Sequence, residues 1–406
     1  MNVVIKNAGL KGSVKAIASK SQAHRLLICA AFADRPTEIV CSETSKDIDA
    51  TAECLRALGC SIERDQERGL FKVMPAGKIN DTAVMDCGES GSTLRFMLPV
   101  VCALGVKCKI NMHGRLPERP LSPLWEELIS HGASLKRGED GSVMTSGRIT
   151  SGSYEIDAGI SSQFISGLLF AMPLMKSASS VRLTGRVESE DYILMTMDAL
   201  KIFGVDIHKE GDVLSMDAGS ALRSPGSAVV EGDWSNGAFW LCASRMTGGN
   251  IKVTGLDTAS RQGDKAVIGL IDRISEGDAV IDAKNVPDLV PVLSVLASVS
   301  PGTTRFINAG RLRIKESDRI KATVDMLVSL GAEASETEDG IIIKGKNRLE
   351  GGSVSSFGDH RMAMSAAVAS IACENDVIIS GAEAVEKSYP GFWKDFEMLG
   401  GDISIC

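Results

Sequence analysis

The sequence has little of what metal sites and nucleic-acid interfaces are built from. Its ten cysteines include no C-x-x-C pair and no cysteine–histidine spacing suited to zinc, which predicts buried thiols in a reducing compartment, no metal and no cofactor. Aromatic residues make up only 4% of the chain, too few for base-stacking platforms. The formal net charge of −8 provides no basic field for nucleic acid, so any bound anion must be held by a local cluster of cations.

Long apolar runs are missing as well. The longest, from Phe96 to Val106, contains a proline and a glycine and is too short to cross a bilayer. The segment from Met1 to Lys20 alternates charged and apolar residues and lacks the apolar core of a signal peptide. These features predict a cytoplasmic protein without a membrane partner.

Glycine, by contrast, is abundant, with 41 among 406 residues, and six glycines mark a repeat. Each follows a helix-like segment and precedes a charged, strand-like run, as glycine does where it terminates a helix. Their spacings along the chain are 73, 72, 73, 54 and 69 residues. The six are Gly59, Gly132, Gly204, Gly277, Gly331 and Gly400. The pattern predicts six α/β units of roughly seventy residues, and the chain length predicts two domains of three units each.

Strand-like and helix-like segments are mixed throughout, so the predicted fold class is α/β or α+β. Nearly all polar residues that are candidates for binding or catalysis lie where a strand or loop leads into a helix. The predicted helices include 21–33, 48–58, 92–103, 122–131, 162–175, 192–203, 287–298, 315–330 and 359–372.

Three predicted helix starts combine hydroxyls, glycines and cations in a way that suits an anion. Residues 19–25, SKSQAHR, place Lys20 and Arg25 beside a serine cap. Residues 87–95, CGESGSTLR, form a small-residue loop whose glycines let a ligand approach the backbone, but it lacks the Gly-Lys-Ser/Thr ending of a Walker A motif. Residues 161–163, SSQ, offer paired hydroxyls. Taken singly, each segment fits an ordinary helix cap about as well.

The densest patch of charge is at 311–319, RLRIKESDR. In the predicted helix, Lys315 and Arg319 lie four residues apart on one face, with Glu316 on an adjacent one. A basic helix start with one carboxylate can bind an anion and exchange a proton with it. An exposed helix held by salt bridges is the alternative.

Three further residues carry charge in stiff or apolar surroundings. Arg119 lies in a loop stiffened by prolines on both sides. Asp288 is the one carboxylate of an apolar stretch, where its uses are capping or chemistry. His360 is either a proton shuttle or, more in keeping with its neighbour, a structural histidine tied to Asp359. Cations and hydroxyls drawn from both halves of the repeat predict one site between two domains.

In their order along the chain, these motifs resemble those of the 5-enolpyruvylshikimate-3-phosphate (EPSP) synthase family. The resemblance spans essentially the full length, and the ordered set is specific although most single motifs are not. The motifs are Lys20-Ser21 and Arg25, GESGSTLR at 88–95, Glu118-Arg119-Pro120, Ser161-Ser162-Gln163, Glu231-Gly232-Asp233, Pro287-Asp288, Lys315-Glu316-Ser317-Asp318-Arg319, Asp359-His360-Arg361-Met362 and Lys387.

The resemblance implies two inside-out α/β barrel-like domains, each made of three βαβαββ units. One domain would be discontinuous, 1–18 plus 230–406, and the other continuous, 19–229. A monomer is the default for the family. Two departures stand out: Arg311 occupies a position where many members carry asparagine, and Glu89-Ser90 stands where Asn-Ala is common.

The family transfers the enolpyruvyl group of phosphoenolpyruvate to the 5-hydroxyl of shikimate 3-phosphate and releases phosphate, a step of the shikimate pathway towards chorismate and the aromatic amino acids. By resemblance, the residues that contact shikimate 3-phosphate are Lys20, Ser21, Arg25, Ser161, Ser162, Gln163, Ser189, Asp288 and Lys315, with Tyr192 near the ring. Those around phosphoenolpyruvate are Lys20, Gly91, Arg119, Gln163, Arg319, Arg361 and Lys387.

Addition followed by elimination needs at least two proton-transfer groups. We expect Asp288 to act as base near the 5-hydroxyl and Glu316 to protonate the methylene carbon. Lys20 is expected to assist the proton traffic while it stabilises charge. Closure of the two domains would exclude water from the reacting groups.

Two other functions are compatible with the same fold. The first is a sister enolpyruvyl transferase acting on UDP-N-acetylglucosamine, which typically carries a cysteine in the loop corresponding to 114–120. No cysteine occurs there in this chain. The second is a non-catalytic anion-binding protein, against which the presence of both Asp288 and Glu316 argues.

Overall fold

The structure is a computed structural model that describes residues 1–6 and 9–406. The chain forms two compact units and passes between them twice, at residues 17–18 and 231–232. The continuous unit comprises Ala18–Glu231. The discontinuous unit comprises Met1–Ile17 and Gly232–Cys406. The sequence prediction placed the domain limits at residues 18 and 230.

Short helices alternate with short strands along both units. The helices are α1 (Lys20–Ala31), α2 (Lys46–Ala57), α3 (Gly91–Leu104), α4 (Leu124–Ser130), α5 (Ser162–Ala171), α6 (Glu190–Ile202), α7 (Trp234–Met246), α8 (Val267–Ser275), α9 (Val290–Ser298), α10 (Arg319–Ser329), α11 (His360–Ala369) and α12 (Phe392–Met398). Of these, α7, α8 and α12 were not among the helices that the sequence predicted.

The strands are three to six residues long. They are β1 (Asn2–Lys6), β2 (Gly12–Lys15), β3 (Thr37–Val40), β4 (Ser61–Asp65), β5 (Leu70–Met74), β6 (Thr82–Asp86), β7 (Lys107–Asn111), β8 (Ala133–Arg137), β9 (Val143–Gly147), β10 (Ser153–Asp157), β11 (Ser179–Thr184), β12 (His208–Glu210), β13 (Val213–Met216), β14 (Ser227–Val229), β15 (Ile251–Thr254), β16 (Ala279–Asp282), β17 (Thr303–Ile307), β18 (Glu333–Glu336), β19 (Ile341–Lys344), β20 (Gly352–Ser355), β21 (Val377–Ser380) and β22 (Asp402–Ile405).

One arrangement of these elements recurs in both units. Strand β6, helix α3 and strand β7 form a parallel pair with a helical crossover, and α4 then leads into the hairpin β8–β9, which adds to the sheet antiparallel. The resulting order is β6-β7-β9-β8. The orders β10-β11-β13-β12 and β16-β17-β19-β18 repeat it. Each of these three sheets is therefore a complete βαβαββ unit, in agreement with the predicted fold class.

Two more sheets are completed by strands from remote parts of the chain. Strand β14, next to the second crossing, pairs in parallel with β3 and completes the sheet β14-β3-β5-β4. Strand β1, at the start of the chain, lies antiparallel between β21 and β22 in the sheet β20-β21-β1-β22. Each unit is thus closed by pairing between segments far apart in sequence.

The sixth sheet, among the residues that the structure describes, consists of only β15 and β2. Helix α8 ends at Ser275, and the chain passes through Gly277 directly into β16, the first strand of another sheet. The hairpin that follows the second helix in the other units has no counterpart here. Its absence explains the short spacing of 54 residues between Gly277 and Gly331.

All six repeat glycines adopt positive φ angles, from 79° at Gly204 to 137° at Gly277. These angles lie in the region that L side chains rarely adopt, so glycine is the residue that ends each helix at low cost. The predicted role of these glycines as helix terminators is therefore confirmed.

Each unit has its own apolar core, with helices at its centre. All residues of α9 and of α11 are buried, whereas strands such as β10 alternate between buried and exposed side chains. Sheets thus cover the helices on one face and meet solvent on the other, as the term inside-out implies. Nine of the ten cysteines are buried and none of the ten forms a disulfide bond, which confirms the prediction of buried thiols.

The predicted helix at 315–330 starts too early. Gly310–Ile314 forms a 3-10 helix, and Lys315 is extended, with φ −85° and ψ −160°. Helix α10 begins only at Arg319, because the side chain of Asp318 caps it by accepting from the backbone N–H of Lys321 at 3.1 Å. The prediction that Lys315 and Arg319 share a helix face is therefore wrong.

In the described ranges, no helix combines the length and the apolar character that crossing a membrane requires.

Candidate functional site

The start of α1 carries the first group of predicted residues. Ser19 caps the helix by accepting from the backbone N–H of Gln22 at 3.4 Å. The Nζ atom of Lys20 lies 2.8 Å from the carboxylate of Asp47, and both side chains are largely buried. A cation thus stands beside the free N–H groups of a helix start, where both favour an anion.

Arg25 is buried one turn further along α1. It donates Nε to Thr196 Oγ1 at 2.9 Å, Nη1 to the carbonyl of Ser21 at 2.5 Å and Nη2 to the carbonyl of Tyr192 at 2.9 Å. Burial lowers the pKa of Arg25 to about 10. A guanidinium has five N–H groups, so two of them remain for other partners.

Gln163, at the start of α5, connects two helix starts. Its side-chain oxygen accepts from Arg95 Nη1 at 2.7 Å, and its side-chain nitrogen donates to Ser92 Oγ at 2.9 Å. Ser161 caps α5 by accepting from the backbone N–H of Gln163 at 3.3 Å. Arg95 belongs to the motif at 87–95, but the sequence alone indicates no role for it, because its partner lies on another helix.

Gly91 is the first residue of α3, and the guanidinium of Arg119 lies directly over it. A Cβ atom added to Gly91 would be 2.7 Å from Arg119 Nη1 and 3.1 Å from Arg119 Cζ. Such distances are too short for a carbon contact, so the glycine leaves the space that the arginine occupies. Both residues were predicted to surround phosphoenolpyruvate, and the structure brings them together.

Ser189 stands in the N-cap position of α6 with a left-handed backbone, φ 54° and ψ 46°. Both Ser189 and Ser162 are buried. Tyr192 lies in the first turn of α6, where the Cζ atom of Arg25 is 5.9 Å from the centre of its ring. We call the residues around the starts of these four helices in the continuous unit, α1, α3, α5 and α6, the basic cluster: Lys20, Ser21, Arg25, Gly91, Arg95, Arg119, Ser161, Ser162, Gln163, Ser189 and Tyr192.

Beneath the basic cluster, a row of buried hydroxyls was not predicted. His24 Nδ1 lies 2.7 Å from Thr51 Oγ1, which lies 2.7 Å from Thr93 Oγ1, and Thr93 Oγ1 donates to Ser90 Oγ at 2.8 Å. Burial, and then the nearby cations Lys20 and Arg25, lower the pKa of His24 well below its usual value. The imidazole is therefore neutral and adds no charge beneath the cations.

In the discontinuous unit, three carboxylates surround the buried guanidinium of Arg319. Its Nη1 lies 2.7 Å from Asp288, its Nη2 lies 2.8 Å from Glu316, and its Nε lies 2.8 Å from Asp359. Burial opposes the charge of Arg319, but Asp359, Glu316 and Asp288 raise its pKa above the usual value. The charge of Arg319 is therefore permanent and balanced by anions.

Asp288 contacts two further cations. Arg361 Nη2 lies 3.2 Å from its carboxylate, and Lys315 Nζ lies 3.7 Å from it. Burial acts to raise the pKa of Asp288, but Arg361, Lys315 and Arg319 together hold it well below its usual value. We call this group the carboxylate cluster: Asp288, Lys315, Glu316, Arg319, Asp359 and Arg361.

Lys315 reaches this cluster from the extended backbone before α10. Burial lowers its pKa to about 8, although the neighbouring Asp288 opposes the shift. Lys315 is thus a cation that titrates within the range in which enzymes work. Lys315 and Arg319 do not share the predicted helix face, but both contact Asp288.

Lys387 and Arg311 lie at the borders of the cluster. Lys387 Nζ donates to the carbonyl of Gly358 at 2.6 Å, directly before Asp359. Arg311 Nη2 donates to the carbonyl of Lys284 at 3.1 Å. His360 is buried, with Nδ1 3.7 Å from Asp359, which matches the structural interpretation of this histidine.

The carboxylates are arranged for cations of the chain itself. No group of three or more His, Cys, Asp or Glu side chains within 1–6 and 9–406 could hold a metal ion. Each cluster thus offers fixed cations that can hold an anion, and the carboxylate cluster also contains side chains of a kind that can exchange a proton, namely Asp288, Glu316 and Lys315.

The chain is similar to known proteins of one enzyme family over nearly its whole length. A model of the family described as EPSP synthase (3-phosphoshikimate 1-carboxyvinyltransferase) matches residues 4–396. The chain is 39% identical to the 3-phosphoshikimate 1-carboxyvinyltransferase of Clostridium novyi (strain NT), with 99% of this chain and 98% of that protein covered. It is 41% identical to the enzyme of the same name from Clostridium kluyveri, with the same coverage.

Solved structures agree with these relatives. The structure of EPSP synthase from Acinetobacter baumannii superposes over the full length of both chains with a TM-score of 0.82 and 25% sequence identity. The enolpyruvyl transferase NikO from Streptomyces tendae has a TM-score of 0.76 at 14% identity, with 99% of this chain and 98% of that chain covered. The likeness to NikO concerns the fold alone.

Proposed function

This chain belongs to the EPSP synthase family, and from that premise we propose how its own residues carry out the family's reaction. The enzyme transfers the enolpyruvyl group of phosphoenolpyruvate to the 5-hydroxyl of shikimate 3-phosphate and releases phosphate, within the shikimate pathway towards chorismate. Two relatives named 3-phosphoshikimate 1-carboxyvinyltransferase match this chain over 98% of their own length. The sister transferase and the non-catalytic protein are not favoured by these matches.

One observation supports the assignment of roles most strongly: the carboxylate of Asp288, which is 21% exposed, is held by Arg319, Lys315 and Arg361. With three cations around it, Asp288 is a weak base in the protein alone, since its pKa is held low. Substrate anions that engage Lys315 and Arg361 would offset their pull on Asp288. The pKa of Asp288 would then rise, and the carboxylate would become able to accept a proton.

The reaction proceeds by addition and elimination. Asp288 accepts the proton of the 5-hydroxyl as the hydroxyl oxygen bonds to C2 of phosphoenolpyruvate, and Glu316, which must be protonated for this step, donates a proton to the methylene carbon. The tetrahedral intermediate then returns a proton from the new methyl group to Glu316 and expels phosphate, which takes up the proton held by Asp288. The double bond is thereby restored, and both carboxyl groups return to their starting states. Lys20 assists the proton transfers and stabilises the departing phosphate.

Both substrates are anions, so repulsion between them opposes this reaction. Two like charges about 4 Å apart repel by about 4 kcal/mol at an effective dielectric of about 20. Arginine forks fit carboxylates and phosphates well, so a set of fixed cations offsets this repulsion. For phosphoenolpyruvate, the proposed residues are Lys20, Gly91, Arg119, Gln163, Arg319, Arg361 and Lys387.

For shikimate 3-phosphate, hydroxyls and backbone N–H groups at helix starts supplement the cations. The serine cap of α5 and the left-handed turn before α6 offer such donors. The proposed residues are Lys20, Ser21, Arg25, Ser161, Ser162, Gln163, Ser189, Asp288 and Lys315, with Tyr192 beside the ring. We also propose that the protein works in the cytoplasm as a monomer, without a cofactor.

A phosphate-release assay with each acceptor tests the proposed specificity. The purified protein is given phosphoenolpyruvate with either shikimate 3-phosphate or UDP-N-acetylglucosamine. We expect phosphate release with shikimate 3-phosphate alone. Release with the nucleotide sugar instead would identify the sister reaction, and release with neither acceptor would favour a binding protein.

A further inference from the structure

The buried hydroxyls beneath the basic cluster have no part in the roles proposed above, although with His24 they join three helices of the continuous unit. His24 lies on α1, one turn after Lys20, and Thr51 lies on α2. Thr93 lies on α3, which Ser90 caps by accepting from the backbone N–H of Thr93 at 3.2 Å. We call Thr51, Thr93 and Ser90 the hydroxyl row. These three residues and His24 are at most 1% exposed, so solvent offers their side chains no partner.

The contacts of Thr93 fix the direction of the hydrogen bonds in the row. Its Oγ1 atom donates to Ser90 Oγ at 2.8 Å and lies 3.4 Å from the carbonyl of Asp47, which can only accept. A hydroxyl has a single hydrogen and two lone pairs. Because both of these contacts use the hydrogen, Thr93 presents a lone pair to Thr51 Oγ1, 2.7 Å away. Thr51 is therefore the donor to Thr93, and its own lone pairs face His24.

The same count fixes the tautomer of His24. Burial lowers the pKa of His24 well below its usual value, so the imidazole is neutral and carries one N–H. Its Nδ1 atom lies 2.7 Å from Thr51 Oγ1, whose hydrogen is already used, so Nδ1 is the donor. Nε2 is buried and has no hydrogen-bond partner among the described residues. A buried N–H without a partner is costly, so Nε2 is the nitrogen that carries no hydrogen.

The hydroxyl row ends beside a predicted binding residue for phosphoenolpyruvate. Ser90 directly precedes Gly91, the first residue of α3, over which the guanidinium of Arg119 lies. Gly91 is the one residue of α3 that we assign to a substrate. At its other end, the row begins at His24, on the helix that starts with Lys20. The row therefore connects the helix that carries Lys20 with the start of the helix that carries Gly91.

We propose that His24 is a positioning residue for phosphoenolpyruvate: as the fixed N–H donor of a one-way row of hydrogen bonds, it holds the start of α3, with Gly91, against α1. The inference rests on the proposed role of Gly91 in the binding of phosphoenolpyruvate. No residue of α3 is assigned to shikimate 3-phosphate. Loss of the row should therefore weaken the use of phosphoenolpyruvate and leave that of shikimate 3-phosphate nearly unaffected.

Nuclear magnetic resonance of the full-length protein with 15N-labelled histidine tests the tautomer without reference to activity. The chain has five histidines, and the signals of His24 are identified by their loss in His24→Asn. We expect a protonated Nδ1 and an unprotonated Nε2, unchanged between about pH 6 and pH 8. A protonated Nε2 would overturn the proposal, because the row would then lack its fixed donor or contain a charged one.

Steady-state kinetics test what the row does. Thr51→Val removes the hydroxyl next to His24 and keeps the shape of the side chain, whereas Thr51→Ser keeps the hydroxyl. We expect KM for phosphoenolpyruvate to rise by about tenfold in Thr51→Val and to stay closer to the wild type in Thr51→Ser. KM for shikimate 3-phosphate should stay within about twofold in both variants.

Variants of His24 should follow the same rule. His24→Leu has no donor and should resemble Thr51→Val, whereas the side-chain nitrogen of His24→Asn can donate to Thr51 and should restore part of the loss. The double variant of His24→Leu and Thr51→Val should be no worse than either single one, because both changes break the same row. If His24→Leu fails to fold, the two variants of Thr51 decide the question.

Thr145→Val is the matched control for Thr51→Val. The Thr145 hydroxyl is also buried in the continuous unit, donates to the carbonyl of Val106 at 3.1 Å and belongs to neither cluster. Its loss should leave both KM values within about twofold. Equal rises in KM for phosphoenolpyruvate in Thr51→Val and Thr145→Val would overturn the proposal, because any lost buried hydroxyl would then have the same effect.

Gly91→Ala separates the possible failures. If this change leaves KM for phosphoenolpyruvate unchanged, the proposed role of Gly91 is wrong. If Gly91→Ala raises it while Thr51→Val and His24→Leu do not, or if the effects of the latter two multiply in the double variant, the positioning role of His24 is wrong.

Discussion

The guanidinium of Arg319 and the carboxylate of Asp359 meet in a two-point contact that is closed to solvent. Nε lies 2.8 Å from Oδ2 and Nη2 lies 3.2 Å from Oδ1, and the two side chains are 1% and 0% exposed. Asp359 also accepts from the Ser317 hydroxyl at 3.0 Å and from the backbone N–H of Arg361 at 3.0 Å. One carboxylate thus holds the starts of α10 and α11 and fixes the cation on which Asp288 and Glu316 converge.

Replacement of Asp359 by alanine should destabilise the protein strongly. Arg319 would lose two of its four charged contacts while it stays buried, and the break of a buried ion pair by removal of one partner costs about 3–5 kcal/mol. The free energy of unfolding of Asp359→Ala, measured with urea, should fall by that amount. Lys321→Ala removes the exposed pair with Asp325 and should change it by less than about 1 kcal/mol. An equal free energy of unfolding in Asp359→Ala and Lys321→Ala would contradict the conclusion that Asp359 holds the starts of α10 and α11.

A methyl group at Gly91 should displace Arg119. In Gly91→Ala the new Cβ would lie 2.7 Å from Arg119 Nη1, so the guanidinium must move away. We expect KM for phosphoenolpyruvate to rise by about tenfold, the size of one lost charged hydrogen bond, while KM for shikimate 3-phosphate stays within about twofold.

Gly269 offers the matched control for Gly91. It lies within α8, and no atom lies within 4 Å of a Cβ added there. Gly269→Ala should leave both KM values unchanged and stabilise the helix by about 0.5–1 kcal/mol. A rise in KM for shikimate 3-phosphate in Gly91→Ala as large as that for phosphoenolpyruvate would show that Arg119 does not act on phosphoenolpyruvate alone.

The charge of Lys315 should make the binding of shikimate 3-phosphate depend on pH. The pKa of Lys315 is about 8, so the side chain is a cation below this pH and loses its charge as the pH rises through it. KM for shikimate 3-phosphate should therefore rise above pH 8. In Lys315→Arg the cation persists at all working pH values, and the rise should disappear. The same rise in both enzymes would assign the titration to another group.

The repeat could be predicted from the sequence because each copy is marked by a few neighbouring residues. A glycine with positive φ after an apolar helix end, such as Gly331 after Leu330, is a property of a few neighbouring residues. The closure of the sheets was not readable, because β1 and β14 pair with strands at the far ends of their units. In the sequence, the absence of a hairpin after Gly277 is indicated only by the short spacing between Gly277 and Gly331.

Residues of the candidate site could be predicted where their residue type alone suggests chemistry. They could not be predicted where their role depends on contacts with residues that are remote along the chain. Charge patterns pointed to Asp288 and to the segment that contains Lys315, but the start of α10 was misplaced because the cap at Asp318 was not recognised. The row of hydroxyls next to His24 could not be predicted from the sequence, because its members are remote from one another along the chain and only their contacts reveal it.

The most direct test of the account is single-turnover phosphate release by Asp288→Asn and Glu316→Gln with both substrates at saturation. Each change keeps the shape of the side chain and removes its proton-transfer group, so we predict that each rate falls by about 100-fold or more. Ligand-binding controls should show that both substrates still bind. Near wild-type phosphate release in both variants would contradict the assignment of the carboxylate cluster as the proton-transfer machinery.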